Sequence, residues 1–282
     1  MVELFVNTND MAHFPWATPT TGGIMSNKEL HRPTLRVLKI LEAAAFNKQG
    51  FTLTEMAEYI DAPKSSIFPV LNTLVDQKYL YYNRQNLRYF IGMKAYEVGQ
   101  TYARQTDVLK DISEIILNMV NVCGETSHFA VLDDGNIFYL ITHDSPDRVR
   151  VFTTVGARMP AYATSLGKAL LLDHTKKELE DMYPDQLPLL TTQTIPTVSA
   201  LFGQLETFQK EQMTFEDGES NANICCYAVP IRKSGQIIAA LSISIRRTHY
   251  SEEKAELVQA LLKNARTKIE LLVQDADVNF SR

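Results

Sequence analysis

Residues 51–91 read FTLTEMAEYIDAPKSSIFPVLNTLVDQKYLYYNRQNLRYFI. Thr52 or Thr54 caps a short helix that carries Leu53, Met56, Ala57 and Ile60 on one face and stops near Asp61. Asp61-Ala62-Pro63-Lys64 is a tight polar turn, and Ser65 to Gln77 then places Ile67, Val70, Leu71, Leu74 and Val75 on a second apolar stripe. Two short helices joined by such a turn make a helix-turn-helix. The other face of the second helix shows Lys64, Ser65, Ser66, Phe68, Asn72 and Thr73, side chains that reach phosphates and base edges when a recognition helix enters a major groove. Tyr79 to Asn83 and Leu87 to Ile91 are aromatic-rich strand candidates around Arg84-Gln85-Asn86, so Arg84 and Arg88 sit on a basic hairpin, a wing.

Upstream, Leu35, Val37, Leu38, Ile40 and Leu41 recur at helical spacing behind the start signal Pro33-Thr34, and Asn47-Lys48-Gln49-Gly50 breaks the run. Helix, helix, turn, helix and basic hairpin lie in the one positively charged part of the chain. Residues 26–110 hold 12 Lys and Arg against 8 Asp and Glu, whereas residues 111–282 hold 16 against 23, which hides a basic module inside a net charge of -5.

Downstream, Met93 to Leu109 and Leu109 to Val122 are consecutive amphipathic runs, read as a helical linker with a natural dimer surface. Beyond Gly124 the period changes. Ser127 to Leu132, Ile137 to Thr142, Val149 to Thr154, Ile224 to Ile231 and Ile237 to Ile245 read as strands. Helices are expected at Ser165 to Leu172, Lys176 to Met182, Val198 to Gln212 and Glu252 to Val273. Strands grouped at both ends with helices between them predict an α+β domain on an antiparallel sheet.

The bulk numbers bound the function. At 282 residues and 45% hydrophobic content the chain has room for two cores, and no apolar run approaches the ~20 residues of a membrane span. Cys123, Cys225 and Cys226 make no paired disulfide framework and no zinc spacing, which predicts a reducing compartment and a cytoplasmic protein without metal or cofactor. The first 24 residues lack Lys and Arg and fail as a secretory signal, so they read as a disordered tail, with Met25 as an alternative start. Ser165-Leu166-Gly167-Lys168 matches the S-x-x-K pattern of penicillin-interacting serine enzymes, but no S-D-N or K-T-G follows, and the six histidines show no metal-site spacing. An enzyme is not expected.

Taken in order, LRVLKILEAA, LTEMAEYIDAPKSSIF, LRYFIG, GETSHFAVLDDG, YATSLGKALL, FEDGES and CCYAVPI..SGQIIAALSIS closely resemble the IclR family of bacterial transcription regulators over residues 33–273. The resemblance implies a winged helix-turn-helix (28–92), a helical linker for dimerisation (93–123) and a GAF-like effector-binding domain (124–274), between a tail or mis-assigned start (1–27) and a short tail (275–282). It implies dimers that pair into tetramers on a double-stranded DNA operator, and control by small, often acidic or aromatic, catabolic compounds. The family's effector pocket falls on Ser165, Leu166, Glu216, Asp217, Cys226, Ser242 and Ser244. A helix start at Ser165 suits a ligand carboxylate, and Ser242 and Ser244, two apart on a strand, face one side. A C-terminal domain that only oligomerises is the alternative, distinguished by whether any ligand changes DNA affinity.

The chain departs from the family pattern at three places. Phe68-Pro69 stands where a basic or His-Arg pair is usual, Asn223 replaces the usual Gly before the pocket cysteine, and Glu and Gly in FEDGES replace the frequent Asp and Glu. A proline beyond the first helical turn is expected to kink its helix.

Overall fold

The computed structural model describes residues 30–104, 107–146, 155–276 and 280. They fall into two compact units that part between Asp107 and Val108. The strand expected over Val149 to Thr154 and the segment 1–27 lie outside the described residues.

The N-terminal unit is a winged helix-turn-helix. α1 (Arg32–Phe46) starts with a proline in its first two positions, where the missing N–H has no intrahelical acceptor in any case. α2 (Leu53–Tyr59) opens with a reciprocal capping box between Thr52 and Glu55. Asp61, at φ 52°, supplies the left-handed residue between α2 and α3 (Lys64–Asp76), a conformation Asp tolerates better than most residues. Ile40, Ala43, Met56, Ile67, Leu71 and Leu80 close a core between the three helices and the wing. The wing pairs β1 (Leu80–Asn83) with β2 (Arg88–Ile91), and Phe51 bridges to the other edge of β2 by exchanging both backbone hydrogen bonds with Tyr89. Leu87, expected to open the second strand, lies instead in the turn at φ 57°; Asx-type bonds from the Gln85 N–H to Asn83 and from the Arg88 N–H to Asn86 shape that turn.

Pro69 is the sixth residue of α3, past the first turn, and the helix nevertheless runs unbroken to Asp76. Its missing N–H would have met the carbonyl of Ser65, which is on the exposed face and open to water. α4 (Met93–Arg104) completes the unit, with Met93, Tyr96 and Val98 exposed.

The C-terminal unit is built on one antiparallel six-stranded sheet in the order β5-β4-β3-β8-β7-β6. The strands are β3 (Thr126–Asp133), β4 (Asn136–His143), β5 (Arg158–Pro160), β6 (Thr214–Asp217), β7 (Ile224–Lys233) and β8 (Gln236–Arg246). Hairpins β3–β4 and β7–β8 join along β3 and β8. Alternation divides the sheet: Phe129, Val131, Val229, Ile231, Leu241, Ile243 and Ile245 face α5 (Asp107–Cys123) and α9 (Glu252–Asp275) in one apolar core. The opposite face lies under α6 (Ser165–Leu171), α7 (Lys176–Met182) and α8 (Val198–Phe208), and there the strands offer Ala130, Ala228 and Ala240.

Small residues let α6 approach closely. A Cβ on Gly167 would stand 2.0 Å from the carbonyl oxygen of Ala161, a backbone atom with nowhere to go. Gly167→Ala is therefore expected to cost at least about 2 kcal/mol by overpacking, read by urea unfolding. Gly203→Ala, in α8 with open space around it, is expected to be neutral or to stabilise by up to about 1 kcal/mol. Equal effects would contradict the close approach.

Candidate functional site

The register of the sheet lines polar side chains into two rows on the α6 side. One row runs Glu216–Cys226–Ser244–Thr126 across β6, β7, β8 and β3. The other runs Thr214–Ala228–Ser242–His128, and continues to Thr142 on β4. Residues directly opposite in antiparallel strands share a face, so these two rungs form one seam of hydroxyl, thiol, carboxyl and imidazole groups inside the domain. All but Ala228 and Thr142 are polar or ionisable and buried.

Buried polar groups need partners, and the seam supplies several. Cys226 Sγ donates to Ser244 Oγ at 3.1 Å, and Thr214 Oγ1 donates to the Ser165 carbonyl at 2.7 Å, tying β6 to the start of α6. His128 Nδ1 lies 3.3 Å from Thr142 Oγ1, and its ring meets Tyr139 edge-on at 5.1 Å between centroids. Glu216 accepts from the Glu219 N–H (2.7 Å), the Ser220 N–H (3.4 Å) and Ser220 Oγ (2.7 Å), which folds the turn after β6 back on itself. Burial pushes the Glu216 carboxyl above its ordinary range, against those hydrogen bonds and the nearby Lys168 ammonium. Burial also lowers the His128 imidazole to about 4 and holds the Cys226 thiol well above its usual value, so at neutral pH His128 is uncharged and Cys226 is a thiol.

Above the seam, Thr164 caps α6 by accepting the Gly167 N–H, and the first-turn amides of Ser165 and Leu166 have no acceptor within their own helix. Ser165 and Leu166 are both buried. Of the expected effector residues, the fold thus brings together Ser165, Leu166, Glu216, Cys226, Ser242 and Ser244. Asp217, expected beside Glu216, is not among them: alternation along β6 turns it to the opposite side, half-exposed, where it pairs with Arg247 and accepts from Cys225 Sγ at 3.2 Å.

On the N-terminal unit, Lys64, Ser65, Phe68, Asn72 and Thr73 lie on the exposed face of α3, and Phe68 is 47% exposed. Ser66 is half-buried and donates to the Pro63 carbonyl at 2.7 Å, while Thr73 Oγ1 donates to the Pro69 carbonyl at 2.9 Å. Arg84 is exposed at the tip of the wing. Arg88 is different. Its guanidinium grips both carboxylate oxygens of Glu55 at 2.9 Å and donates to the Gly50 carbonyl at 2.8 Å, so this expected DNA contact is committed to bracing the wing against α2.

Both units match known families. The IclR helix-turn-helix domain matches residues 33–84, and the Bacterial transcriptional regulator IclR C-terminal domain matches residues 100–270. The chain belongs to the IclR family of DNA-binding transcriptional regulators. It is 28% identical over 240 residues to the HTH-type transcriptional regulator KdgR of Escherichia coli (strain K12), covering 83% of this chain and 90% of that protein. The HTH-type transcriptional repressor AllR of Salmonella typhimurium is 25% identical over 242 residues, 84% of this chain and 89% of the repressor. In fold, an IclR transcriptional regulator from Alicyclobacillus acidocaldarius superposes with a TM-score of 0.77 at 21% identity, covering 86% of this chain and 99% of that one. An IclR homologue from Microbacterium hydrocarbonoxydans, complexed with 4-hydroxybenzoate, gives 0.74 at 23%, covering 86% and 98%.

Within this IclR fold the sequence reading missed Thr126, His128, Tyr139, Thr214, Lys168 and Glu219. The first two had a signal: period-two alternation over GETSHFAV puts Thr126 and His128 on the face of Ala130, away from Phe129. No helix among the described residues is long and apolar enough to cross a membrane.

His128 makes the seam testable by acid. Its folded-state value lies below the ordinary 6.5, so as pH falls from 6.5 toward 4 the unfolded chain takes up a proton that the folded chain refuses. That stability is present above pH 6.5 and drains away on acidification. The wild type is expected to lose about 3 kcal/mol across this window relative to His128→Asn, measured by urea unfolding at stepped pH; parallel curves would show that His128 is not held neutral.

Proposed function

We propose that the chain controls a catabolic operon, binding its operator as a homodimer or dimer of dimers and responding to a small organic acid held at the seam. The observation that carries this reading is the double row of buried hydroxyl, thiol and imidazole groups beneath α6. An apolar face would pack better there, and polar groups buried in quantity suit a polar ligand. Ser165, Leu166, Glu216, Cys226, Ser242 and Ser244 are the residues we assign to it, with the α6 amides as donors to the ligand's oxygens. Support also comes from the Microbacterium homologue complexed with 4-hydroxybenzoate, an aromatic acid. Exposed Met93, Tyr96 and Val98 on α4 favour self-association.

For the operator, we assign Lys64, Ser65, Ser66, Phe68, Asn72 and Thr73 to the major groove and Arg84 to the backbone or minor groove alongside. Phe68 offers apolar contact, suited to thymine methyls, where a cation would have offered a phosphate or guanine contact. Arg88 is withdrawn from this set because Glu55 already satisfies it.

Duplexes selected from a random pool test the assignment. Arg84→Ala is expected to weaken binding to every selected sequence and to reduce the salt slope by about one unit. Asn72→Ala is expected to change the selected consensus. Arg88→Ala should leave the slope unchanged and cost about 1 kcal/mol of stability, in line with a partly exposed ion pair. A slope unaffected by Arg84→Ala removes the wing tip from the contacts, and a protein with no salt-sensitive affinity for any duplex removes the whole reading.

A further inference from the structure

Lys168 is an ammonium group with no exposure to solvent, on the α6 helix above the seam. A charge in that position survives only with a counter-ion: burial pulls the Lys168 ammonium below its ordinary value and pushes the Glu219 carboxyl above its own, and each group's charge opposes the shift of the other. Its partner is Glu219 Oε1, supplied by the turn that follows β6, and its field reaches Glu216 and Cys226 in the first polar row.

The two acidic residues of this corner are held very differently. Glu216 has both oxygens engaged by three donors. Glu219 has one oxygen on Lys168, while its Oε2 is buried with no well-formed hydrogen bond, the Ile195 backbone N–H giving the carboxylate only a weak further contact. The backbone of the Glu219 turn does not depend on its side chain. Thr191 Oγ1 donates to the Gly218 carbonyl at 2.6 Å, Thr194 Oγ1 donates to the Glu219 carbonyl at 2.7 Å, and Glu216 takes the Glu219 N–H. Asn221, Ala222 and Asn223 immediately beyond are exposed. The Glu219 carboxylate is thus half-satisfied, close to the surface in sequence, and carried on a turn that stays in place if the side chain swings away.

We propose that Glu219 is an internal stand-in for the carboxylate of an acidic effector, and that the effector's carboxylate replaces it on Lys168. This rests on the effector reading of the seam and adds to it the class of ligand and the residue that selects it. One carboxylate is exchanged for another, so the buried ammonium is never left unpaired, and a neutral analogue has nothing to offer it. The internal carboxylate competes with the ligand and weakens the apparent affinity by the fraction of time it holds Lys168.

The test uses calorimetric titration of the full chain with pyruvate, benzoate and 4-hydroxybenzoate, each beside its amide. An acid is expected to bind the wild type while its amide does not. Glu219→Gln is expected to bind that acid about tenfold more tightly, and because it leaves Lys168 unpaired, its lowered melting temperature should be restored by the acid. Lys168→Met/Glu219→Gln removes both charges, keeps the fold, and should bind acid no better than amide. If the double variant binds the acid as the wild type does, or Glu219→Gln binds no more tightly than the wild type, this inference falls while the effector reading stands. If no acid binds the wild type or either variant, both fall.

Discussion

The C-terminal domain depends on a sheet that is apolar on one face and polar on half of the other. Period-two alternation sends Leu241, Ile243 and Ile245 to α5 and α9, and by the same geometry sends Ser242 and Ser244 to α6. Because neighbouring strands are in register, the polar residues of β6, β7, β8 and β3 meet one another rather than scattering. Each buried hydroxyl or carboxyl then constrains its neighbours: Thr214 must reach the Ser165 carbonyl, and Glu216 must fold the next turn over itself. Gly167, whose lack of a Cβ leaves room for the Ala161 backbone, sets how near α6 stands to these groups. A seam of this kind is costly if half-satisfied and useful if a ligand completes it.

In the N-terminal unit one carboxylate has a comparable role at smaller scale. Glu55 accepts the Thr52 N–H in the capping box of α2, and the same carboxylate binds Arg88 of the wing. Those interactions hold the Glu55 carboxyl below its ordinary range, the Thr52 amide foremost. Helix start and hairpin are therefore locked together, with Phe51 and Tyr89 paired beside them. A bidentate arginine provides a geometric brace as well as charge, which leaves Arg84 exposed at the wing tip.

The helices and the long hairpins were legible because each carries its own period: the stripes on α2 and α3, the alternation of β3, β7 and β8. β5 and β6 were not. They are three and four residues long, at the edges of the sheet, and β6 ends in two acids, so nothing local marks FEDGES as a strand. Without β6 there was no means of separating Glu216 from Asp217, since only alternation puts one inside and the other outside. Arg84 and Arg88 looked equivalent for a similar reason: the partner of Arg88 is Glu55, 33 residues away. Lys168 stood in plain view in SLGKALL, but its burial follows from Glu219, 51 residues further on. Periodicity reveals faces, and it does not reveal which distant charges meet.

Control by an effector requires that occupancy of the polar seam and affinity for DNA be energetically linked. The most direct measurement is the dissociation constant for one selected duplex at fixed salt, with and without a saturating acid that binds the C-terminal domain. The acid is expected to change that constant by at least about fivefold, the lower end of ordinary allosteric coupling. An acid that binds the protein tightly and leaves the constant for DNA unchanged would contradict that linkage.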